Sequence, residues 1–259
     1  MILIESKQNA ALRHLARLGR EKKYRRETGE MLCEGEKMLR EALSSNAKIG
    51  TVIARAGEKD AAFSALLGKA EEAGAKLYEA PDALFRSASE VETPGRVLFS
   101  CAQPRWGADT LAEQKPVLLL DGVQDPGNLG TILRSADAFA LGGVVLCEGC
   151  ADPFSPKVVR ATMGAIFRLP CPRLPLLEAV SLLRQNGLYI YAAALRADAV
   201  PICDRAMKNA AVIVGSEGAG VTQAALDAAD GSVIIPMAGR AESLNAGVAA
   251  SILIYEMTK

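Results

Sequence analysis

Residues 235–256, IPMAGRAESLNAGVAASILIYE, form the segment on which the interpretation of the whole chain depends. The segment begins as an apolar strand ending at Pro236, turns through Gly239, and is predicted to enter a helix at about Leu244. The first turns of that helix carry only small side chains, including Gly247. Because glycine inside a helix costs about 1 kcal/mol relative to alanine, we expect a ligand, a neighbouring backbone segment or a second copy of the chain to lie close to it.

The composition is that of a globular protein without a general affinity for polyanions. Of its 259 residues, 50% are hydrophobic and 23% are charged, and the formal net charge is zero, so any basic surface must be local. The first residues mix acids and bases, and no apolar run reaches the roughly 18 residues of a membrane helix. We therefore expect a cytoplasmic protein without a signal peptide or a membrane segment.

The six cysteines are interpreted as reduced thiols, because a chain of this length without a signal peptide does not need a disulfide framework. Cys147 and Cys150 form a CxxC pair, but no second pair accompanies it and the only histidine, His14, lies far away in the sequence. No metal site is predicted. The pair is interpreted as two small apolar side chains near a strand end, with a redox role as the alternative.

The order of strands and helices predicts two α/β domains. Strands and helices alternate over residues 1–103, which indicates a smaller α/β domain. Residues 104–116, with two prolines and mixed charge, are interpreted as a linker. From residue 117 to residue 259 the strands are apolar throughout and are joined by helices, which predicts a parallel sheet covered on both faces.

Basic residues are concentrated near the start of the chain. Residues 5–26 contain eight lysines and arginines but only two acidic residues, and leucines at helical spacing accompany them. One interpretation is an ordinary solvated helix face. The strong excess of one sign in a neutral chain favours a segment that contacts phosphates.

Three polar loops follow strands of the predicted parallel sheet, and ligands of such sheets bind beyond the carboxyl ends of the strands. The loops lie within residues 121–136, 214–222 and 235–245. The first contains GNLG, which lacks the GxGxxG spacing of a dinucleotide site, and no Walker A loop is present. A nicotinamide-dependent oxidoreductase is therefore disfavoured.

The three loops together, in this order and at these distances, carry a family resemblance. Residues 125–140 (DPGNLGTILRSADAFA), 213–222 (IVGSEGAGVT) and 235–256 resemble the three signature motifs of the SpoU (TrmH-type) RNA ribose methyltransferases of the SPOUT superfamily. Residues 23–43 are similar to the opening of the substrate-binding domain that often precedes the catalytic domain. Residues 152–170 are similar to the stretch between the first and second motifs.

The resemblance implies a fold and an assembly that the sequence pattern does not reveal. A C-terminal SPOUT domain would carry a parallel sheet and a deep trefoil knot, although true knots are nearly absent from proteins. A smaller α/β domain, similar to the ribosomal-protein-like fold that binds kink-turns, would precede it. The C-terminal domain would form a homodimer.

The resemblance also implies which residues act in catalysis. Arg134 matches the arginine regarded as catalytic, with an exposed helix arginine as the ordinary alternative. Because arginine stays protonated in proteins, we expect it to hold a phosphate and orient the ribose rather than to act as a base. The other matching residues, for most of which helix capping is the alternative, are Asn128, Glu217, Ser243 and Asn245.

The implied cofactor is S-adenosylmethionine, and the implied partner is RNA. The expected cofactor contacts are Gly215, Ile235 and Leu244, with Leu195, Met237 and Gly239 as weaker candidates. The RNA contacts expected from the basic segment and from the stretch after residue 152 are Arg20, Lys22, Lys23, Arg25, Arg26, Lys157 and Arg160.

The function implied is the transfer of a methyl group from S-adenosylmethionine to a ribose 2′-hydroxyl in structured RNA. The two-domain arrangement resembles the ribosomal RNA branch more than the transfer RNA branch, and DNA lacks the hydroxyl. The alternatives are a transfer RNA 2′-O-methyltransferase and a non-catalytic RNA-binding relative. One departure from the usual motif is Ala246 and Gly247, where many relatives carry a β-branched residue and a serine.

Overall fold

The computed structural model describes residues 1–57, 60–111, 115–205, 207–241 and 243–259. The chain forms two compact units. The first comprises Met1–Pro104 together with Asp152–Phe167, and the second comprises Arg105–Ala151 and Arg168–Lys259. The sequence alone predicts the segment after residue 152 to be part of the second domain, whereas in the structure it packs within the first unit.

The first unit contains a five-stranded mixed sheet. Its strands are β1 (Ile2–Leu3), β2 (Glu30–Glu34), β3 (Ile49–Arg55), β4 (Lys76–Ala80) and β5 (Val97–Ala102). β5 pairs antiparallel with β2 and β3, and the other pairings are parallel, in the order β1-β4-β3-β5-β2. The helices of this unit are α1 (Ala10–Arg20), α2 (Lys22–Thr28), α3 (Glu36–Ser44), α4 (Ala61–Glu72), α5 (Asp82–Ala88) and α7 (Pro156–Ala161).

The basic segment folds as α1 and α2, and its leucines anchor it to the sheet. Leu12, Leu15 and Leu18 lie on one face of α1 and are buried in a core cluster with Phe85 of α5. Spacing of three residues places these side chains on the same side of a helix. The charged side chains of α1 and α2 are therefore left mainly on the other side, as the pattern predicts.

The segment Asp152–Phe167 is less regular than its sequence indicates. Residues 157–167 are apolar enough for one continuous helix, but α7 ends at Ala161. Met163 and Gly164 then have φ angles of 53° and 104°, in the left-handed region that a helix cannot contain. A Cβ atom at Gly164 would meet the side chain of Glu41. The close packing of this turn against α3 therefore ends the helix.

The second unit contains a six-stranded sheet in which every pairing is parallel, as predicted. Its strands are β6 (Val117–Asp121), β7 (Gly143–Leu146), β8 (Tyr189–Ala193), β9 (Val200–Pro201), β10 (Ala210–Gly215) and β11 (Gly231–Ile234). They lie in the order β7-β6-β10-β8-β11-β9. The helices are α6 (Pro126–Ala138), α8 (Leu176–Gln185), α9 (Gln223–Ala228) and α10 (Ala246–Thr258).

Helices pack on the sheet of the second unit and bury its apolar strands. Leu183 of α8 and Ala225 of α9 share a buried cluster with Leu119 and Ile213 of the central strands. Helices α6 and α10 pack against each other, and the hydroxyl groups of Ser135 and Ser251 lie 2.8 Å apart between them. Within the described ranges, no helix is long and apolar enough to cross a membrane. The trefoil knot stays a prediction.

Candidate active site

The three motif loops meet at the carboxyl edge of the parallel sheet. Gly215, at the end of β10, lies beside Asp121, at the end of β6. The buried carboxylate of Asp121 accepts a hydrogen bond of 2.8 Å from the backbone N–H of Thr222. This bond joins the second motif loop to the end of β6. Asp121 was not among the predicted site residues, although an aspartate at the end of an entirely apolar strand is a visible signal in the sequence.

The sequence predicts that residues 124–130 form a loop and that a helix begins at Thr131, but helix α6 begins five residues earlier, at Pro126. Asp125 is its N-cap and accepts from the backbone N–H of Asn128 at 2.8 Å, and Pro126 occupies the first helical position, where its missing N–H costs nothing. The capping alternative for Asn128 is therefore wrong. Its side chain is not used to cap the helix and projects from the first turn.

Asn128, Glu217 and Asn245 come from the three different loops and form one hydrogen-bonded cluster. The amide of Asn128 donates to Oε1 of Glu217, and the amide of Asn245 donates to Oδ1 of Asn128 at 2.9 Å. Asn245 is also the N-cap of α10, so this helix begins at Ala246, two residues after the predicted start. The capping interpretation of Asn245 is therefore confirmed, and its role as a site residue stays a prediction.

Arg134 lies further along α6, with its side chain exposed. The side chain of Arg134 has no hydrogen bond or ion pair within the described part of the chain. By contrast, Nε and Nη2 of Arg168 donate to the carboxylate of Asp137 at distances of 2.7–3.1 Å. The guanidinium of Arg134 therefore remains available for an external anion.

A cavity of about 400 Å³ lies beside this cluster. Of the residues expected to contact the cofactor, it is lined by Gly215, Ile235, Leu244, Leu195 and Met237. Two residues expected in catalysis, Glu217 and Ser243, also line it, whereas Gly239 does not. The volume lies in the range of small-molecule sites.

The cavity has further lining residues that the sequence analysis missed. Ala246 and Ala249, in the small-residue turns of α10, line one side, and Ala194, Ser216 and Val221 complete other parts of the wall. The prediction that the small side chains of α10 face a close neighbour was the sequence signal for Ala246 and Ala249. Ser216 and Val221 lie in the second motif loop, which the sequence already indicates as a ligand loop, whereas Ala194 is identified only by the folded arrangement of the loops.

The basic residues expected to contact RNA have different environments. Lys22 and Arg26 are exposed and have no ion pair within the described ranges. Lys23 is exposed and lies 3.8 Å from Glu27. Arg20 is exposed but is held by Glu90 and by the carbonyl of Ser87. From the later stretch, Lys157 is exposed, whereas Arg160 is partly buried and lies 3.8 Å from Glu34.

Arg25 does not fit the predicted phosphate contact. Its side chain is buried, and one guanidinium nitrogen donates to the carbonyl groups of Leu18 and Gly19. The other terminal nitrogen donates to Oδ2 of Asp152 at 2.8 Å. Arg25 therefore joins α1, α2 and the segment Asp152–Phe167 within the first unit. Adjacent arginines look alike in sequence, and only the folded environment distinguishes Arg25 from Arg26.

The CxxC thiols have the properties of structural cysteines. Burial raises the pKa of Cys147, which is almost inaccessible, and burial also raises the pKa of Cys150. The Cys150 thiol donates to the carbonyl of Leu120 at 3.1 Å. Because the thiolate is the reactive form, these environments disfavour the redox alternative. In the described ranges, no group of three or more His, Cys, Asp or Glu could hold a metal ion.

A cavity and a polar cluster at the carboxyl edge of a parallel sheet are typical of the ligand-binding site of an α/β enzyme. Similarity to known proteins identifies the family to which the chain belongs. Residues 115–255 match the SpoU rRNA Methylase family, and residues 9–98 match the MRM3-like substrate binding domain. The protein belongs to the SpoU rRNA methylase family and is an RNA methyltransferase, which confirms the resemblance of its motifs.

Relatives cover almost the whole chain. The 23S rRNA (guanosine(2553)-2′-O)-methyltransferase RlmP of Bacillus subtilis (strain 168) is 37% identical over 254 residues, which are 98% of each protein. The crystal structure of an AdoMet-bound rRNA methyltransferase from Sinorhizobium meliloti superposes with a TM-score of 0.88 and 30% identity, covering 98% of this chain and 96% of that one. The SpoU methyltransferase AviRb from Streptomyces viridochromogenes, in complex with the cofactor AdoMet, superposes with a TM-score of 0.86 and 27% identity, covering 97% of both.

The contrast between Arg25 and Arg26 predicts different effects on stability. Replacing Arg25 with alanine leaves the carboxylate of Asp152 without its partner and should lower the free energy of unfolding by about 3 kcal/mol. Replacing the exposed Arg26 with alanine should change it by less than about 0.5 kcal/mol. Urea titrations of the two variants measure the difference, and equal effects would contradict the structural role of Arg25.

The second loop predicts a strict requirement for glycine at position 215. A Cβ atom at Gly215 would overlap the backbone of Gly220 and Val221, which cannot move away because Ser216 and Gly220 are hydrogen-bonded to each other. Gly215→Ala should therefore destabilise the protein by about 1–3 kcal/mol. Gly218→Ala, at an open position in the same loop, is the matched control and should be neutral in thermal unfolding.

Proposed function

We propose that this protein transfers a methyl group from S-adenosylmethionine to the 2′-hydroxyl of a ribose in ribosomal RNA. The observation that carries the proposal is the cavity at the sheet edge, which opens beside Glu217 and the Asn128 cluster. The similarity to a 23S rRNA 2′-O-methyltransferase over 98% of the chain supports ribosomal RNA as the substrate. In this proposal residues 1–103 select the RNA together with Asp152–Phe167, residues 104–116 are the linker, and the rest of residues 117–259 is catalytic.

The residues around the cavity fit the proposed cofactor. Ile235, Leu244 and Met237 provide apolar contacts for an adenine ring, and Gly215 lines the same cavity without a side chain, so that the ring can approach the main chain there. Glu217 provides a negative charge at the wall, which complements a cationic ligand. When bound, S-adenosylmethionine supplies a sulfonium-linked methyl group that a nucleophilic oxygen can accept without a metal.

Arg134 is proposed to hold the RNA phosphate next to the target ribose. A planar guanidinium can bind two phosphate oxygens at once, which orients the ribose as well as attracting it. Because Arg134 is exposed and lacks an ion pair within the described part of the protein, no internal bond has to break first. Holding the hydroxyl in line with the methyl group is a positional contribution to the rate.

The exposed basic residues of the first unit are proposed to contact the RNA backbone. Lys22, Lys23 and Arg26 lie on α2 with exposed side chains, and Arg20 lies at the end of α1. Lys157 extends the set, while Arg160 contributes with the part of its side chain that is accessible. The match of residues 9–98 to a substrate binding domain supports this role. Arg25 is left out because it is buried.

The protein is proposed to act in the cytoplasm, and its second unit is proposed to contain the trefoil knot of the SPOUT fold. The second unit is also proposed to form a homodimer. The support for the dimer is an exposed apolar surface on α10 and at the end of α6. Val248, Tyr255 and Phe139 are each more than 40% exposed, and the two aromatic rings meet edge to face with centroids 5.6 Å apart. Exposed apolar patches of this kind are typical of interaction surfaces.

Arg134→Lys tests the phosphate-binding role. Lysine keeps the positive charge but cannot form two parallel bonds, so kcat should fall at least about 100-fold, in line with the loss of a positioned catalytic contact. Calorimetry should show unchanged binding of S-adenosylmethionine. Arg184→Lys, at a surface arginine paired with Asp230, is the control and should keep full activity. Full turnover by Arg134→Lys would contradict the proposed role.

Mapping of 2′-O-methylation across cellular RNA, with and without the gene, tests the substrate. Loss of one ribosomal RNA site, restored by the purified protein with S-adenosylmethionine on the unmodified RNA, is the expected result. Loss of a transfer RNA site instead would overturn the ribosomal assignment. Binding of S-adenosylmethionine and RNA without any lost site would favour a non-catalytic relative.

A further inference from the structure

The side-chain amides of Asn245 and Asn128 have only one orientation that satisfies all their neighbours. Oδ1 of Asn245 accepts hydrogen bonds from the backbone N–H groups of Gly247 and Val248, at 2.9 and 3.2 Å. Because the start of a helix offers only donors, the oxygen of this amide must face α10. Its NH2 group is therefore turned away from the helix and donates to Oδ1 of Asn128 at 2.9 Å.

The orientation of the Asn245 amide determines the orientation of the Asn128 amide. The orientation of Asn128 in turn determines whether Glu217 faces a hydrogen-bond donor or an acceptor. With its oxygen occupied by Asn245, Asn128 presents its NH2 group to Oε1 of Glu217. A reversed Asn128 would place an oxygen against the carboxylate and an NH2 group against another NH2 group, and both contacts are repulsive. The direction of the whole chain of bonds is thus set by the N-terminus of α10.

The free end of this chain of bonds lies at the cavity. Glu217 is exposed, lines the cavity, and uses only Oε1 in a hydrogen bond within the described ranges. Its second oxygen, Oε2, can accept a hydrogen bond from a bound molecule.

We propose that Asn245 is a positioning residue that acts on Glu217 through the Asn128 side chain, so that Oε2 of Glu217 accepts the hydrogen bond of the target ribose hydroxyl. The inference rests on the proposed function and adds a division of roles to it. Glu217 touches the substrate, Asn128 holds Glu217, and Asn245 orients Asn128. Asn245 itself has no need to reach the RNA or the cofactor.

The glycine at position 247 fits this arrangement. A Cβ atom there would lie 3.2 Å from Oδ1 of Asn128 and 3.2 Å from Oδ1 of Asn245, which is closer than such atoms normally approach. A Cβ atom at this position would require the two amides to shift by a few tenths of an ångström. Gly247 therefore leaves the two amides room to meet at the observed distances.

A simple capping role for Asn245 is the competing explanation, and the substitution Asn245→Asp separates the two. The new carboxylate could still accept from the two backbone N–H groups, because aspartate is as good an N-cap as asparagine. It could not donate to Asn128. Asn128 would then turn its NH2 group toward this carboxylate and its oxygen toward Glu217, which would displace the Glu217 side chain.

The first experiment compares Asn245→Asp with a matched change at another cap. Asn245→Asp should lower kcat at saturating RNA and S-adenosylmethionine at least about tenfold, with little change in the midpoint of thermal unfolding. Asn9 caps α1 through the same pair of bonds, at 2.9 and 3.3 Å. Asn9→Asp should leave kcat unchanged. Unchanged kcat in Asn245→Asp would overturn the proposal.

The second experiment is a double-mutant cycle that combines Asn245→Asp with Glu217→Gln. In the double variant a reversed Asn128 can accept from the amide introduced at position 217 and donate to the carboxylate introduced at position 245. All hydrogen bonds are then restored without the Glu217 carboxylate. The kcat of the double variant should equal that of Glu217→Gln alone, and its unfolding midpoint should be at least as high as that of Asn245→Asp. Losses of kcat that multiply would show independent roles and contradict the proposal.

The two readouts separate this proposal from the proposed function. If the wild-type protein methylates RNA but the two positions show no coupling in kcat, the orienting role fails and the methyltransferase function stands. If the wild-type protein shows no RNA methylation, the proposed function and the ribose contact of Glu217 fail together. Coupling in the unfolding midpoints alone would then support only the hydrogen-bonded chain of side chains.

Discussion

The close approach of α10 to α6 is the constraint on which the second unit depends. Gly247 lies against Asn128, and this approach brings Asn245 within hydrogen-bonding distance of Asn128. Two segments separated by more than a hundred residues thereby share one polar cluster. Because Ala246 and Ala249 of the same turns line the cavity, small side chains in α10 serve the cluster and the cavity wall at once.

The second loop is held by an equally tight contact. Gly215 lies directly against the backbone of Gly220 and Val221, and Asp121 holds Thr222 from the neighbouring strand. These contacts use backbone groups and a buried carboxylate, so they leave the side chain of Glu217 exposed at the cavity. The site is thus built on rigid strand ends, while its functional groups remain accessible, which is the arrangement expected at the carboxyl edge of a parallel sheet.

In the first unit, neighbouring residues of the basic segment have different roles. The leucines of α1 bind the helix to the sheet, and the buried Arg25 joins α1 and α2 to Asp152. Its neighbours Lys22 and Arg26 remain exposed. Charge composition alone therefore identifies a basic segment, whereas burial decides which of its charges support the fold and which can face RNA.

The sequence by itself determined the class of fold, the approximate position of most strands and helices, and the membership of the three motif loops in one site. Apolar strands, glycine-containing loops and helical spacing are local patterns, so they can be read without coordinates. The start of α6 at Pro126, with Asp125 as its N-cap, is a local pattern of the same kind. The end of α7 before Met163 and the packing of Asp152–Phe167 in the first unit were decided by the tertiary structure. The same holds for the buried Arg25 and for the orientation of the two asparagine amides. Each of these depends on a neighbour that is distant in sequence, and a side chain can be assigned a direction only when the atoms around it are known.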